Sequence, residues 1–453
     1  MKNIILVIIT SLISSCSLIS AKTDMPPPVV TNKWASSSPG IMVKNVNYAV
    51  ESQNLTWWWT KYNDKTLDKL MESAFANNNQ LQIAAANTDF ANAQLKSIEF
   101  AWIPNLSFLT GYSSFPAMGS LGYFYGGMAS YSLNVFQQIK AQEQAKYIVK
   151  ATEYQQKSVQ LGVIGQVAVS YFSLLAYQEQ LEIYEKLTRD LVEILKLNNQ
   201  RFKTGVSSQK EPYISASELA QIKAKTQIIK HNIVLTQNAL KYLTNQNPGA
   251  ITLSKKFSNI DPDLIVVSEL PLTALNNRPD IQEATSKLDA ANAGIGVAQS
   301  ELLPTVSFAN FYRDAAPNFG NSFQSNDLNQ LVLAVPVINA QALADIAARN
   351  AIYKQIYFQY MQSVVAALRD IDNDISEHAQ YTVQLSDNLR ALDDIDKTCG
   401  LDKARFDSGV SSYLEYINCV TKYDYYRLTI VQLKLGKIMA MVKLYQDLAI
   451  TKN

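Results

Sequence analysis

The sequence is poor in the residues that build most catalytic and metal centres. Its 453 residues include only two histidines and three cysteines, which leaves little material for a metal site or a Cys/His catalytic pair. Lys plus Arg (40) balance Asp plus Glu (39), so there is no basic field of the kind that holds nucleic acid. Charged residues make up 17% of the chain, below the usual ~25%. We therefore expect much of the surface to be covered by other copies or by lipid.

Glycine and proline are also scarce. The chain has 16 Gly and 14 Pro, shares below the usual roughly 7% and 5%, which excludes collagen-like and Pro-rich chains and favours a mostly helical fold. Gly294-x-Gly296 lacks the third glycine of a dinucleotide-binding loop and lies within a predicted helix. We interpret Asp370, Asp372 and Asp374, which alternate along a helix, as solvated charges rather than a metal cluster. The sequence therefore predicts no enzyme activity, no cofactor and no metal site.

The first residues have the features of a lipoprotein signal. Lys2 precedes the apolar run 4–9, and Ile13-Ser14-Ser15-Cys16 resembles the lipobox of bacterial lipoproteins. We predict a signal peptide over residues 1–15, lipidation of Cys16 (palmitate) and a tether over residues 16–60. Ser17, rather than Asp, follows the cysteine, which in such lipoproteins implies the outer membrane. The alternative is an incidental cysteine inside an ordinary signal peptide.

Two halves of the chain carry one pattern. Pro104 aligns with Pro304 at an offset of 200, and the residues around each proline agree without gaps. Further on the offset becomes 204, where Arg-Phe-x-x-Gly-Val-Ser-Ser stands at both 201–208 and 405–412. Chance does not keep one register across so many positions. We predict a first repeat over residues 61–250, a linker over 251–272 and a second repeat over 273–453.

Each repeat contains a segment that alternates with the period of a strand. Leu106, Phe108, Thr110 and Tyr112 face one way, and Ser107 faces the other. We predict strand pairs at about 105–136 and 305–338. Strands of about ten residues with aromatic side chains near their ends are typical of outer-membrane barrels. Soluble hairpins are the alternative.

Long helical hairpins follow the strands, at about 137–247 and 340–450. No proline interrupts 137–203, and Gly205 and Gly409 end the two long helices. The apolar spacing of 3 and 4 predicts a coiled-coil seam in each helix, so that His378 is a structural residue of the packing. The two seams align residue by residue: Leu174, Tyr177, Leu181, Tyr184, Thr188, Leu191 and Leu195 in the first, and His378, Tyr381, Leu385, Asn388, Leu392, Ile395 and Cys399 in the second.

Four strands cannot close a barrel, because even small membrane barrels need about eight. Three copies of four strands give twelve, which is enough to close a barrel. Few known architectures complete a barrel with strands from several copies of one chain. With Arg278-Pro279-Asp280-Ile281, the run 290–298, both Arg-Phe-x-x-Gly-Val-Ser-Ser motifs and Tyr413-Leu414, the sequence resembles the TolC-like outer-membrane efflux family. It is most similar to the lipoprotein branch that serves resistance-nodulation-division pumps. The resemblance covers essentially all of the mature chain.

The resemblance implies a mainly α fold with a small membrane β-barrel. It further implies a homotrimeric channel-tunnel with twelve strands in outer-membrane lipid and a long helical periplasmic barrel. Its partners would be a periplasmic adaptor, or membrane fusion protein, and an inner-membrane pump. A lipid-anchored coiled-coil scaffold without a pore is the alternative, and no nucleic-acid partner is expected.

The resemblance also implies the positions of the functional sites. The periplasmic gate would lie at Leu414, Glu415 and Asn418, of which the last replaces the family's tip aspartate. Residues 136–140 also depart from the family's Gly-Arg-x-Arg leader. Adaptor contacts would lie at the two turns, at Gly205, Val206, Gly409 and Val410.

The remaining cysteines form a candidate pair. Cys399 lies ten residues before Gly409 and Cys419 ten residues after it, so a helical hairpin places both at one height. The first hairpin has Leu195 and Ser215 at the matching positions. Either a disulfide forms, as the oxidising periplasm allows, or both are small buried residues with free thiols.

Overall fold

The structure, a computed structural model, describes residues 55–113, 122–263, 275, 278–316 and 324–448. The chain divides into two compact units. The first contains Ala85–Gln155 and Asp280–Ser363, and the second contains the described parts of Val29–Ala84, Gln156–Pro279 and Val364–Asn453. Each sequence repeat contributes to both units, so the compact units cut across the duplication.

Helices dominate the described residues, as the composition predicts. In chain order they are α1 (Lys65–Asn77), α2 (Asn79–Glu99), α3 (Val135–Lys203), α4 (Lys210–Leu243), α5 (Pro279–Ser300), α6 (Ala340–Asp407) and α7 (Tyr413–Leu448). Both predicted helical hairpins are confirmed, as α3–α4 and α6–α7. Helix α1 was not predicted, nor was the 3-10 helix Leu55–Tyr62 before it, which begins inside the range assigned to the tether. Trp58 and Trp59 are buried there.

Polar side chains fix where the helices begin. Asp64 accepts from Thr66 N at 3.0 Å at the start of α1, and Asn78 accepts from Gln80 N at 2.9 Å at the start of α2. Asn134 and Asn339 do the same for α3 and α6. Such caps satisfy N–H groups that the first helical turn leaves without partners. Pro279 opens α5, where its missing N–H is harmless.

A four-stranded antiparallel sheet belongs to the first unit. Its strands are β1 (Asn105–Ser113), β2 (Gly122–Leu133), β3 (Thr305–Ala316) and β4 (Gln324–Ala334), in the order β1-β2-β3-β4. Pairing of β2 with β3 joins the strand pairs of the two repeats. Within the described ranges, β1 and β4 have no further strand on their outer edges.

The two faces of this sheet differ in polarity. We call the face that carries Leu106, Phe108 and Tyr112 the apolar face, and the register extends it to Phe308 on β3 and Leu331 on β4. Leu106 is 79% exposed and Leu331 is 75% exposed. The opposite face is mixed. It carries Ser132 and Ser307, whose hydroxyl oxygens lie 3.1 Å apart, and also Phe124, which packs over Gly111.

The second unit has a core of large side chains. Tyr171 and Phe172 of α3 are fully buried, and the Tyr171 hydroxyl donates to Asp64 Oδ2 at 2.5 Å. Helices α3 and α7 approach closely, because a Cβ atom on Gly165 would stand 1.9 Å from the amide of Gln446. The two predicted seams are confirmed as well, since all fourteen of their residues are buried or half-buried.

Candidate functional site

The two hairpin ends have the same backbone turn. Gly205 and Gly409 adopt φ of 74° and 72°, the left-handed region that glycine enters without steric cost. Equivalent hydrogen bonds close both turns: Val206 N to Arg201 O at 2.9 Å and Gly205 N to Phe202 O at 3.0 Å in the first, and Val410 N to Arg405 O at 2.9 Å and Gly409 N to Phe406 O at 2.9 Å in the second.

All four residues expected to contact an adaptor lie at the surface of these turns. Val206 is 68% exposed and Val410 is 70% exposed. A Cβ atom added to Gly205 or Gly409 would meet nothing within 4 Å. The turns therefore present exposed apolar side chains beside open space, which a partner's backbone or side chain can approach.

The residues expected at the gate lie at the start of α7. Glu415 and Asn418 are exposed, as is Lys422 one turn further along the same face, and Leu414 beside them is half-buried. Glu415 stands in the first turn of α7, where its negative charge suits the helix N-terminus. Glu415, Asn418 and Lys422 therefore share one exposed face of the helix.

The spacing of Tyr416, Cys419, Tyr423 and Tyr426 predicts a seam on α7. In the structure Cys419 is buried and the three tyrosines are half-buried, so this seam packs as the seams of α3 and α6 do. The most deeply buried stripe of α7 lies beside it, at Ile417, Thr421, Asp424, Leu428 and Val431.

A buried carboxylate on that stripe ties α7 to the first hairpin. Asp424 is fully buried, forms a short ion pair with Lys186 of α3 and lies 3.4 Å from the guanidinium of Arg427. One residue on, the Tyr425 hydroxyl donates to Glu218 of α4 at 2.9 Å. These contacts were not predicted, although an aspartate on an apolar stripe is a signal for them.

The two hairpins are braced by different bonds, which share one matching position. A disulfide joins Cys399 to Cys419, with 5.4 Å between their Cα atoms, within the range that a disulfide can bridge. In the first hairpin Ser215 takes the place of Cys419, and its hydroxyl accepts from Asn198 Nδ2 at 2.7 Å. Asn198 and Ser215 are both buried.

Two ionisable residues lie in the packing between α6 and α7. Asp374, expected to be a solvated charge, is fully buried and pairs with Lys443. Burial raises the pKa of Asp374 to about 7, with a further contribution from Asp447. The expectation for Asp374 was wrong because the scatter of three aspartates around one helix says nothing about a partner on another helix.

His378 lies one turn further along α6 and is 3% exposed, as its seam position predicts. Burial lowers the pKa of His378 to about 4, and the positive charge of Lys437 lowers it further against the opposing effect of Asp263. Its neutral form is therefore the one that packs between the helices.

The contacts of Arg278 give a structural reason for the first residue of the motif Arg278-Pro279-Asp280-Ile281. Its Nη1 lies 3.3 Å from Asp447 Oδ1 and also donates to the Asp447 carbonyl. Arg278 is 7% exposed. This buried pair fixes the residue that precedes α5 against the end of α7.

Cys16, the expected lipidation site, lies outside the described residues. Within the described ranges, no group of three or more His, Cys, Asp or Glu side chains is positioned to hold a metal ion. Part of α3 is long and apolar enough to cross a membrane, but 61% of that stretch is buried in the protein, as in the core helix of a soluble protein.

An exposed apolar sheet face carried on duplicated helical hairpins defines a class of protein, the outer-membrane channel. The chain belongs to the outer membrane efflux protein family, which it matches over residues 70–245 and 270–449. The family is one of outer-membrane channel proteins rather than enzymes.

Curated relatives and solved structures agree with this assignment. The chain is 27% identical over 413 residues to the solvent efflux pump outer membrane protein SrpC of Pseudomonas putida, covering 85% of this chain and 86% of that protein. It is 26% identical over 462 residues to the cation efflux system protein CusC of Escherichia coli, covering 96% of each. The fold is similar to the open state of the Neisseria gonorrhoeae MtrE outer membrane channel, with TM-score 0.78 and 19% identity over 94% of this chain and 97% of that one.

Proposed function

We propose that three copies of this chain form the outer-membrane conduit of a tripartite efflux system. The observation that carries the proposal is the four-stranded sheet, which within the described part of the chain has one exposed apolar face and two open edges. Lipid does not tolerate an open sheet edge, because its N–H and C=O groups find no partners there. Three copies of four strands close both edges in a barrel of twelve, with the apolar faces toward lipid.

The partners follow from the family and from the hairpin ends. SrpC and CusC are named as components of solvent and cation efflux systems. By analogy, this chain receives its cargo from a periplasmic adaptor and an inner-membrane pump, of the resistance-nodulation-division type. The exposed valines at 206 and 410 are the apolar contacts for the adaptor. Lipidation of Cys16 adds an anchor to the outer membrane.

The gate belongs to the start of α7. Glu415 and Asn418 are exposed on one face of that helix, and in a closed helical cylinder this face lines the lumen. Leu414 supplies an apolar ring at the narrowing. Three Glu415 carboxylates near one axis attract cations, as acidic rings do in cation-selective pores.

Conductance in planar bilayers tests both the conduit and the gate. We expect the purified protein to form discrete channels, and Glu415→Ala to reduce their preference for cations over anions. Glu211 is the matched control, since it occupies the same turn position in the first hairpin. Glu211→Ala should leave selectivity unchanged.

The outcomes separate two failures. Unaltered selectivity in Glu415→Ala channels removes the gate assignment but leaves the conduit. Trimers that insert but never conduct favour the alternative function, a lipid-anchored scaffold without a pore.

A further inference from the structure

One side of helix α3 carries three cations at the spacing of a coiled coil. Arg189, Lys196 and Lys203 follow one another at intervals of seven residues, and all three are exposed. Seven residues make two turns of a supercoiled helix, so these side chains lie on one side of it. At 1.5 Å per residue, successive cations are about 10 Å apart along the helix. The row ends at Lys203, which is the last residue of α3 before the turn at Gly205.

Helix α4 widens this row into a groove. Lys223 and Lys230 of α4, again seven residues apart, line a groove of about 610 Å³ together with Arg189. Lys230 Nζ lies 3.3 Å from Glu185 Oε1, and this ion pair stands at the end of the groove away from the turn. We call the five cations the cationic strip: Arg189, Lys196, Lys203, Lys223 and Lys230.

Most of the strip has no carboxylate partner within the described ranges. Lys196 Nζ lies 3.2 Å from Glu193 Oε1, but an exposed pair of this kind contributes little. Arg189, Lys203 and Lys223 form no ion pair with any residue that the structure describes. The strip is therefore a positively charged surface that a negatively charged partner can neutralise.

The second hairpin lacks the row of three cations. With the offset of 204, the row on α3 corresponds position by position to residues of α6: Arg189 to Asp393, Lys196 to Gly400 and Lys203 to Asp407. Both aspartates are exposed. The same side of α6 also carries Asp396 and Lys403, so its charge is mixed rather than positive. A partner segment whose charge suits α3 therefore does not suit α6.

The matching cations of α7 already have partners in the chain itself. Arg427 and Lys434 stand where α4 has the two lysines of the strip. Arg427 Nη1 lies 3.4 Å from Asp424 Oδ1. Lys434 Nζ donates to two carbonyl groups of the inter-repeat linker, that of Phe257 at 2.9 Å and that of Ser258 at 3.0 Å. Among the described residues, the first hairpin thus leaves open a cationic surface that the second does not.

We propose that the cationic strip receives a helical segment of the periplasmic adaptor that carries carboxylates at the same seven-residue spacing. Such a helix, lying along α3, brings one carboxylate to each cation of the row. Val192, which is 46% exposed between Arg189 and Lys196, meets an apolar side chain of the same segment. The row ends three residues before Val206, the proposed adaptor contact. The inference rests on the proposed efflux function and adds the charge by which the first hairpin, unlike the second, selects its partner.

A synthetic peptide represents the adaptor segment in the test. The probe is a fluorescent helical peptide of three heptads with one glutamate in each, and a second peptide has glutamine at the same positions. Anisotropy measures their binding to the detergent-solubilised full-length protein. A triple variant, Arg189→Gln with Lys196→Gln and Lys203→Gln, removes the row. Lys225→Gln is the matched control, because Lys225 is exposed on α4 but faces another side of that helix than Lys223.

We expect the glutamate peptide to bind, and to bind the triple variant about tenfold more weakly, since three exposed ion pairs are lost. Raised salt should weaken the binding in the same way, and Lys225→Gln should leave it unchanged. In cells, the triple variant should export a fluorescent dye about tenfold more slowly than the unsubstituted protein, although its channels still conduct in planar bilayers.

Three results would overturn the inference while leaving the conduit in place: equal binding of the two peptides, full binding of the glutamate peptide to the triple variant, or normal export by that variant. An altered ion preference of triple-variant channels would also overturn it, because the strip would then line the lumen and act on cargo. Unsubstituted protein that never conducts in bilayers refutes the proposed function itself, and the adaptor inference falls with it.

Discussion

The two hairpin ends have the same turn but different braces. Gly205 and Gly409 share their left-handed conformation, and the hydrogen bonds around them match one for one. Behind the turn, the first hairpin uses a hydrogen bond between Asn198 and Ser215, and the second uses the disulfide of Cys399 and Cys419. The turn is a local structure that eight residues specify, so both copies retain it. A brace only has to join the two helices near the turn, and different chemistry can do that from different positions on the first helix.

The same contrast recurs deeper in the hairpins. With the offset of 204, Asp374 and His378 of α6 correspond to Ser170 and Leu174 of α3. Leu174 is fully buried in the ordinary apolar manner. At these two positions the second repeat therefore places titratable groups where the first has neutral ones, so these two contributions to the pH dependence of stability come from the second repeat alone.

The largest expected effect is on the pH dependence of stability. Because the pKa of Asp374 is raised to about 7, the folded chain holds a proton that the unfolded chain releases between about pH 4 and 7, and stability falls as pH rises. Because the pKa of His378 is lowered to about 4, the folded chain refuses a proton that the unfolded chain binds, and stability rises from about pH 4 to 6.5. Each slope reaches at most about 1.4 kcal/mol per pH unit.

These opposing slopes can be separated by installing the residues of the first repeat. We expect Asp374→Ser to leave a stability that rises with pH between 4 and 6.5, and His378→Leu to leave one that falls. The double variant should be nearly flat. Thermal unfolding of the detergent-solubilised protein across this range measures the slopes, and parallel curves for the two single variants would contradict the assignment.

The next largest effect concerns the disulfide. Replacing both Cys399 and Cys419 by Ala should lower the free energy of opening the second hairpin by about 3 kcal/mol, the value expected for a loop of this size in the chain-entropy model. Hydrogen exchange of the amides around 395–420 measures that opening, and the amides around 192–217 provide the control. Equal loss of protection in both hairpins, or two free thiols in the unreduced unfolded protein, would rule out a local brace.

A smaller effect is expected in the first hairpin. Ser215→Ala leaves the buried amide of Asn198 without its acceptor, at a cost of about 1–3 kcal/mol. The paired substitution Leu195→Cys and Ser215→Cys copies the brace of the second hairpin, and we expect it to form a disulfide because the turns match. Exchange protection around 192–217 should fall in the first variant and recover in the second. Free thiols in the second would show that the two hairpins differ in more than their braces.

How much of this structure the sequence predicts depends on how local each feature is. The duplicated motif, the strand alternation and the 3-4 spacing predicted both hairpins, all four strands and the burial of His378. The pairing of Asp374 with Lys443 spans 69 residues and that of Lys186 with Asp424 spans 238 residues. Neither follows from a pattern on one helix. Helix α1 was missed although Asp64 is a good capping residue, because its apolar stripe is short.

The smallest effect on stability, and the sharpest on function, is expected at the glycines of the turns. Valine at 205 or 409 must adopt a positive φ, which costs about 1–2 kcal/mol for a residue with a Cβ atom. Both sites open onto empty space, so Gly205→Val and Gly409→Val should destabilise the protein equally and leave trimer assembly intact.

If the adaptor docks at these turns, each of these two variants should nevertheless abolish export of a dye or drug by cells. Gly249, which also lies in open space, gives the control Gly249→Val, for which export should persist. Normal export in both turn variants, with trimers present in the membrane, would place the adaptor elsewhere. Loss of export in only one would show that the two hairpin ends have different partners despite their identical turns.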